Sequence, residues 1–240
     1  MKKKIAIIGA GIAGLTLANL IKKYTDHEFM VYEREESLSL EEGYGIQLAT
    51  NSIKILNQIH FNKINDEKIF HPKTIDFYSI QNEKICDLNL SKFNSVEAKY
   101  TTLQRSNLIE FLKEDIYTQH LRFGKKIKEV SELKDKVLIK FDDNTNDLVD
   151  FVIAADGIFS NTRSFFEKKK NLVGMFWGNQ AKKYIESIDI KDHLILTSSH
   201  PSPLSVYLGF NGCNHFQLCN EYMLKNHKKT IDWQTYDPNE

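Results

Sequence analysis

Two groups of residues have the types and spacing to do chemistry, and the firmer lies at the start of the chain. Gly9, Gly11 and Gly14 make a GxGxxG pattern, and Glu33 follows about 20 residues on. Gly9 permits a tight turn, Gly11 lets the backbone approach a pyrophosphate, and Gly14 lets a helix pack closely on a strand. A carboxylate at the position of Glu33 accepts hydrogen bonds from a ribose 2′-hydroxyl and repels a 2′-phosphate, which disfavours NADP at this site. Together they point to dinucleotide binding. The second group, His200 to Ser205 in the run HPSPLS, reads on residue types alone as a turn with Leu204 as its anchor. Asp156-Gly157 is likewise a common turn dipeptide, and Arg105 an arginine at a helix start.

Glycines and an acid act together only if a strand, a helix and a second strand hold them. Lys4 to Ile8 is a short apolar, β-branched run, as expected of a parallel strand buried on both faces. A helix over roughly Ile12 to Lys23 would aim its N-terminal amides and positive dipole end at phosphates. The strand Glu28 to Tyr32 then ends at Glu33. Further on, Thr74 to Asn89 and Leu121 to Phe141 alternate in the manner of sheet strands. The charged stretch from Ile127 to Asp150, with a hairpin turn at Asp142-Asp143-Asn144, reads as a solvated connector. From Leu172 a strand leads to a polar helix start at Asn179, a second strand runs from His193 to Thr197, and a helix carries Asn220 and Leu224.

Composition bounds the rest. The chain has 240 residues, 41% hydrophobic and 27% charged, with 32 basic and 32 acidic side chains. Such a balance describes a folded globular protein and gives no net field to attract nucleic acid. Cys86, Cys213 and Cys219 are odd in number and lack CxxC spacing, so a disulfide framework or metal site is not expected and a reducing, cytoplasmic setting fits. The basic, apolar opening imitates a signal peptide, but glycines interrupt it and polar residues return at Asn19 and Lys22. No later stretch reaches the roughly 18 apolar residues of a membrane span, so no membrane partner is expected.

Three stations in order carry a resemblance. Tyr32-Glu33-Arg34-Glu35 leads to Gly43-Tyr44-Gly45-Ile46-Gln47-Leu48 and Asn51, Thr102-Leu103-Gln104-Arg105 opens a helix, and Phe151 to Arg163 contains Ala155-Asp156-Gly157. Over residues 1 to about 165 this resembles the single-component FAD-dependent aromatic hydroxylases and monooxygenases. The resemblance implies FAD as cofactor, held by Gly9, Gly11, Gly14, Glu33 and Arg34. It places Arg105 near the flavin and ribityl chain, and Asp156-Gly157 against FAD and the reducing pyridine nucleotide. NADH or NADPH would serve as reductant where the hydroxylase chemistry is retained. Full-length members continue through a Gly-Asp motif and a substrate-covering sheet and helices, and neither follows here.

The later residues resemble a different family. Trp177-Gly178-Asn179-Gln180-Ala181, His200-Pro201-Ser202-Pro203-Leu204-Ser205, Gly212-Cys213-Asn214-His215-Phe216 and Ile231-Asp232-Trp233-Gln234 follow the order of the C-terminal third of family 1 uracil-DNA glycosylases. By that resemblance His200 is the catalytic histidine that donates to uracil O2, and Leu204 is the wedge that fills the gap left by a flipped nucleotide. Ser202 and Ser205 would grip DNA phosphates. The family's upstream GQDPYH loop is absent from residues 1–171, Leu208 stands where arginine is usual, and Asn211 where phenylalanine is usual.

The expected fold is therefore α/β: a truncated, Rossmann-like FAD-binding domain over 1–168, then a partial glycosylase α/β segment over 169–240. The join falls within residues 164–171, which hold a charge run but no Pro or Gly. A C-terminal piece of about 70 residues without a central sheet is expected to be marginal and to expose apolar strand edges. The expected function is FAD binding with incomplete hydroxylase chemistry. The alternatives are a uracil-excising DNA-repair protein, with DNA bound through HPSPLS, or an inactive fusion of two fragments.

Overall fold

The computed structural model describes residues 2–38, 44–157, 160–166, 170–187, 190–202, 205–227, 230, 231 and 233. The chain forms two compact units, Met1–Thr162 and Arg163–Glu240.

In the first unit the apolar opening becomes β1 (Lys4–Ile8). The glycine turn leads into α1 (Ile12–Tyr24), and the chain returns as β2 (Glu28–Tyr32). After these come β3 (Gly45–Leu48), α2 (Thr50–Asn57), β4 (Ile69–Phe70) and the hairpin of β5 (Thr74–Tyr78) and β6 (Lys84–Asn89). Next are β7 (Thr101–Gln104), α3 (Arg105–Glu114) and the short β8 (Leu121–Arg122). The unit closes with β9 (Ile127–Leu133), β10 (Lys136–Phe141), β11 (Asn146–Val149) and β12 (Phe151–Ala154).

The main sheet is parallel, in the order β12-β1-β2-β8, with Ile5 opposite both Phe151 and Phe29. Its central strand is sealed on both faces: Ala6 and Ile7 are fully buried, as the unbroken apolar run predicts. The core lies between this sheet and two helices, with Leu15 and Ala18 of α1 near Leu108 and Leu112 of α3. Asn19, which interrupts the apolar opening, is buried there. Its side-chain amide donates to the carbonyls of Leu15 (2.9 Å) and Leu112 (2.7 Å), linking the two helices and satisfying a carbonyl near the end of α3.

The stretch Ile127–Asp150 is not a solvated connector. It forms a three-stranded antiparallel sheet, β11-β10-β9, in which Ile139 and Val149 are fully buried and Phe141 nearly so. Charged residues on the outer face dominate the composition, while every second residue of β10 faces inward. The turn falls where the sequence places it, with Asn144 in the left-handed region at φ 65°. A polar clamp joins this sheet to the main one. The Tyr32 hydroxyl and Lys4 both donate to Asp147, and Asp150 accepts from the Lys4 amide at 2.8 Å and from Lys136 at 2.9 Å. The Tyr32 and Phe141 rings lie 4.8 Å apart.

The second unit comprises α4 (Arg163–Phe166), β13 (Val173–Trp177), α5 (Asn179–Lys182), β14 (Leu194–Ser198) and α6 (His215–His227). β13 and β14 pair in parallel, joined through α5. Each has one partner strand among the described residues. All five residues of β13 are only half-buried, and Leu196 and Cys219 are the only buried apolar residues described in this unit. An aromatic cluster replaces a conventional core: Trp177 meets Phe210 and Phe216 edge-on at 4.9 and 5.7 Å, and Phe216 lies 4.9 Å from Trp233. No described helix is long and apolar enough to cross a membrane.

Candidate functional site

Strand order reverses at β1, whose neighbours are β2 on one side and β12 on the other, and a crevice opens at such a point beyond the strand C-termini. The glycine turn sits there. Gly9 has φ +103°, its amide donates to the Tyr32 carbonyl at 2.7 Å, and a Cβ on it would lie 2.6 Å from the Ala155 carbonyl oxygen. Gly14 packs beneath the turn, where a Cβ would come within 2.0 Å of the Gly9 carbonyl oxygen. Gly11 differs: a Cβ there would meet nothing within 4 Å, so its backbone borders open space at the N-terminus of α1.

A cleft of about 220 Å³ occupies this position, and all of the predicted nucleotide-site residues except Gly14 line it: Gly9, Gly11, Glu33, Arg34, Arg105, Asp156 and Gly157. Glu33 is held in place by its own backbone surroundings. One carboxylate oxygen accepts from the Ala10 amide at 2.8 Å and the other from the Glu35 amide at 3.1 Å. Arg34 pairs with Glu35 at 3.1 Å. Arg105 begins α3, its amide donating to the Tyr44 carbonyl at 3.1 Å. Asp156 accepts from the Ser160 hydroxyl (2.7 Å), the Thr162 amide (3.1 Å) and the Thr162 hydroxyl (2.8 Å). Burial pushes its pKa up, but these hydrogen bonds outweigh burial and hold it below the ordinary aspartate value.

Sequence reasoning missed Lys125, Lys126 and Ile127, which share the lining with Tyr32 and Asn161 of the quoted stations. The segment after β8 runs beside the end of β2: the Gly124 amide donates to Glu35 and the Lys125 amide to Glu33, at 2.9 and 2.8 Å. The alternation from Leu121 to Phe141 predicts strand here, but it does not say that this segment lies against the end of β2. Lys125 pairs with Asp143 and reaches the Thr145 hydroxyl at 2.8 Å, and Lys126 pairs with Asp142 at 3.3 Å. The Lys125 hydrogen bond leads the effects that lower the Asp143 carboxyl to about 2. The Tyr32 phenol is raised by burial and then by its bond to Asp147.

In the second unit His200 is exposed and fixed by its own loop. Its Nδ1 accepts from the Ser202 amide at 3.1 Å, which leaves the proton of the neutral ring on Nε2. The Ser205 hydroxyl donates to the His200 carbonyl at 2.8 Å, and the Ser202 and Ser205 hydroxyls share a hydrogen bond at 3.0 Å. Leu204 lies outside the described residues. Gly178, at φ +90°, backs this loop: a Cβ on it would lie 3.1 Å from the Cβ of His200. Trp177 donates its indole N–H to Nδ1 of His215 at 2.9 Å, and burial pulls the pKa of His215 down. Leu208 is 68% exposed.

Comparison with known proteins divides along the same lines. A family model described as an NAD(P)-binding Rossmann-like domain matches residues 7–41. Among solved structures, the chain is similar to 2,6-dihydroxypyridine-3-hydroxylase from Arthrobacter nicotinovorans, with 21% identity, TM-score 0.58, and coverage of 69% of this chain and 40% of that one. It is also similar to Klebsiella pneumoniae HpxO complexed with FAD and uric acid, with 23% identity, TM-score 0.56, and coverage of 65% and 39%. A curated relative, uracil-DNA glycosylase of Francisella tularensis subsp. novicida, is 52% identical over 67 residues, which is 28% of this chain and 30% of the relative. A glycosylase of Francisella tularensis subsp. tularensis matches to the same extent. The chain thus spans under a third of the curated relatives and about 40% of the solved neighbours. With the parallel sheet and crevice already described, these likenesses establish a mixed α/β chain with the Rossmann-like nucleotide-binding fold found in these solved structures.

Proposed function

We propose that residues 1–168 form an FAD-binding, monooxygenase-like domain without complete hydroxylase chemistry, followed at 169–240 by a uracil-DNA glycosylase-like segment, in a cytoplasmic protein. The supporting observation is that stations far apart in sequence, Gly9 to Gly11, Glu33-Arg34, Arg105 and Asp156-Gly157, meet in one cleft. The residues fit the ADP half of FAD. Open space over Gly11 suits a pyrophosphate against the α1 amides, and each Glu33 oxygen keeps acceptor capacity for ribose hydroxyls beyond its single backbone bond. Arg105 and ionised Asp156 would orient the remainder. When bound, the flavin supplies the redox chemistry. The named neighbour HpxO was crystallised with FAD, which supports the same cofactor here.

Purified protein given FAD is expected to retain flavin absorbance through gel filtration, and Gly11→Val to lose it with an unchanged melting temperature. Colourless protein that ignores FAD rejects the proposal.

A second reading has its own support in the 52% identity to glycosylases and in the hydrogen bond from the Ser202 amide to Nδ1 of His200, which leaves Nε2 as the ring's donor. It requires release of uracil from uracil-containing duplex DNA, lost in His200→Ala. No release rejects an enzyme and favours an inactive fusion.

A further inference from the structure

We propose that Asn211 is a self-modifying site: together with Gly212 it closes to a succinimide that reopens to aspartate or isoaspartate, giving this turn a negative charge and, as isoaspartate, a longer main chain. The reaction belongs to the turn itself and does not depend on what the cleft of the first unit binds.

The chain contains one Asn-Gly pair, Asn211-Gly212, in the exposed turn that precedes α6. Three observations leave this pair open to reaction. The Asn211 side chain is exposed and has no hydrogen-bond partner among the described residues. The amides on either side, of Asn211 and Cys213, donate to the carbonyls of Val206 and Phe210 at 3.0 and 3.2 Å. The Gly212 amide between them donates to none of the described residues, so its nitrogen is free to lose its proton and attack. A Cβ on Gly212 would meet nothing within 4 Å, so neither a side chain nor packed neighbours obstruct the ring as it closes.

Comparable residues are tied. Asp156-Gly157 has the same spacing, but three hydrogen bonds hold the Asp156 carboxyl ionised, and a carboxylate carbon is a poor electrophile. Asn220 exchanges two hydrogen bonds with the Ile231 backbone, both at 2.8 Å, and Asn214 is followed by the buried ring of His215.

In the first step the bond from the Gly212 nitrogen to Asn211 Cγ forms, the bond from Cγ to Nδ2 breaks, and the Gly212 amide proton passes through solvent to the departing ammonia. Water then adds to one of the two imide carbonyls. Opening at Cγ leaves aspartate, and opening at the main-chain carbonyl leaves isoaspartate, with no change in oxidation state. The product carries one negative charge more than the neutral formal balance of the chain. The lengthened main chain falls next to Phe210, which packs edge-on against Trp177 at 4.9 Å.

The test is a time course of the full-length protein at neutral and mildly alkaline pH, with proteolytic fragments weighed by mass spectrometry. A synthetic peptide of residues 207–215 is followed beside it. The fragment holding Asn211 is expected to exchange NH for O, to become a methyl acceptor for an isoaspartyl methyltransferase, and to convert faster as pH rises. Its rate should be no less than about a tenth of the peptide's, which caps the protection by folding at roughly one factor of ten in rate. Asn211→Gln, whose longer side chain closes the ring far more slowly, should abolish the change, and the fragment holding Asp156-Gly157 should stay unmodified. An Asn211 that converts more slowly than that, or not at all, overturns the proposal. The wild-type protein and the peptide decide this even if the variant does not fold.

Discussion

A methyl group added at Gly14 would sit 2.0 Å from the Gly9 carbonyl oxygen, whereas one added at Gly11 would meet nothing within 4 Å. Gly11 also has φ −80°, which any residue adopts. Gly14→Ala is therefore expected to destabilise the first unit by about 1–3 kcal/mol, the cost of forcing apart packed backbone. Gly11→Ala should leave the thermal transition within about 0.5 kcal/mol of wild type and reduce only nucleotide affinity, with circular dichroism melts and titration separating the two. Both glycines and their separate duties were legible from their place in the motif, open backbone at Gly11 and close packing at Gly14, and the structure adds which neighbouring atoms each faces. His215 carries a pH prediction. Its Nδ1 must be unprotonated to accept from Trp177, and burial lowers its pKa from the ordinary 6.5. The unfolded state therefore takes up the proton first as pH falls. The stabilisation is full above about pH 6.5 and is lost progressively as pH drops toward the lower folded value. Urea midpoints followed by tryptophan fluorescence should fall between pH 7 and pH 5.5, and His215→Gln should flatten that dependence.

At the scale of elements, β9, β10 and β11 carry the sharpest correction. Charge counts along Ile127–Asp150 describe only the outer face, whereas Ile139, Phe141 and Val149 fill the inner one. Ile139→Ala is expected to cost about 2–5 kcal/mol in a denaturant titration of the first unit, where a solvated connector would lose under about 0.5. The same sheet holds Asp143 and Asp142 against Lys125 and Lys126, so its placement shapes the lip of the cleft. The opening βαβ was readable to within a residue because its signal is local: an apolar run, glycines, an amphipathic helix and a second run. β8 opens the alternating stretch from Leu121, but its parallel pairing with Val31 and Tyr32 in the main sheet was not readable, since alternation does not name the partner strand.

At the scale of the whole molecule, both tryptophans, Trp177 and Trp233, belong to the second unit and report on it alone. That unit buries few apolar side chains among those described, while the first has a continuous core. Tryptophan fluorescence is therefore expected to lose its native signal at lower temperature than far-ultraviolet circular dichroism, giving two transitions. A single transition seen by both probes would contradict the difference in core.

The sequence by itself determined the nucleotide-binding βαβ, the acid at its end and the two unlike family resemblances, because these depend on residue types at short, fixed spacings. Only the tertiary structure decided that Lys125 joins Glu33, Arg105 and Asp156 around one cleft, that the charged stretch is a sheet with one buried face, and that Trp177 donates to Nδ1 of His215. Those facts depend on strand pairing and packing between residues as far apart as Ile5 and Phe151, and no local pattern encodes which partner each will meet.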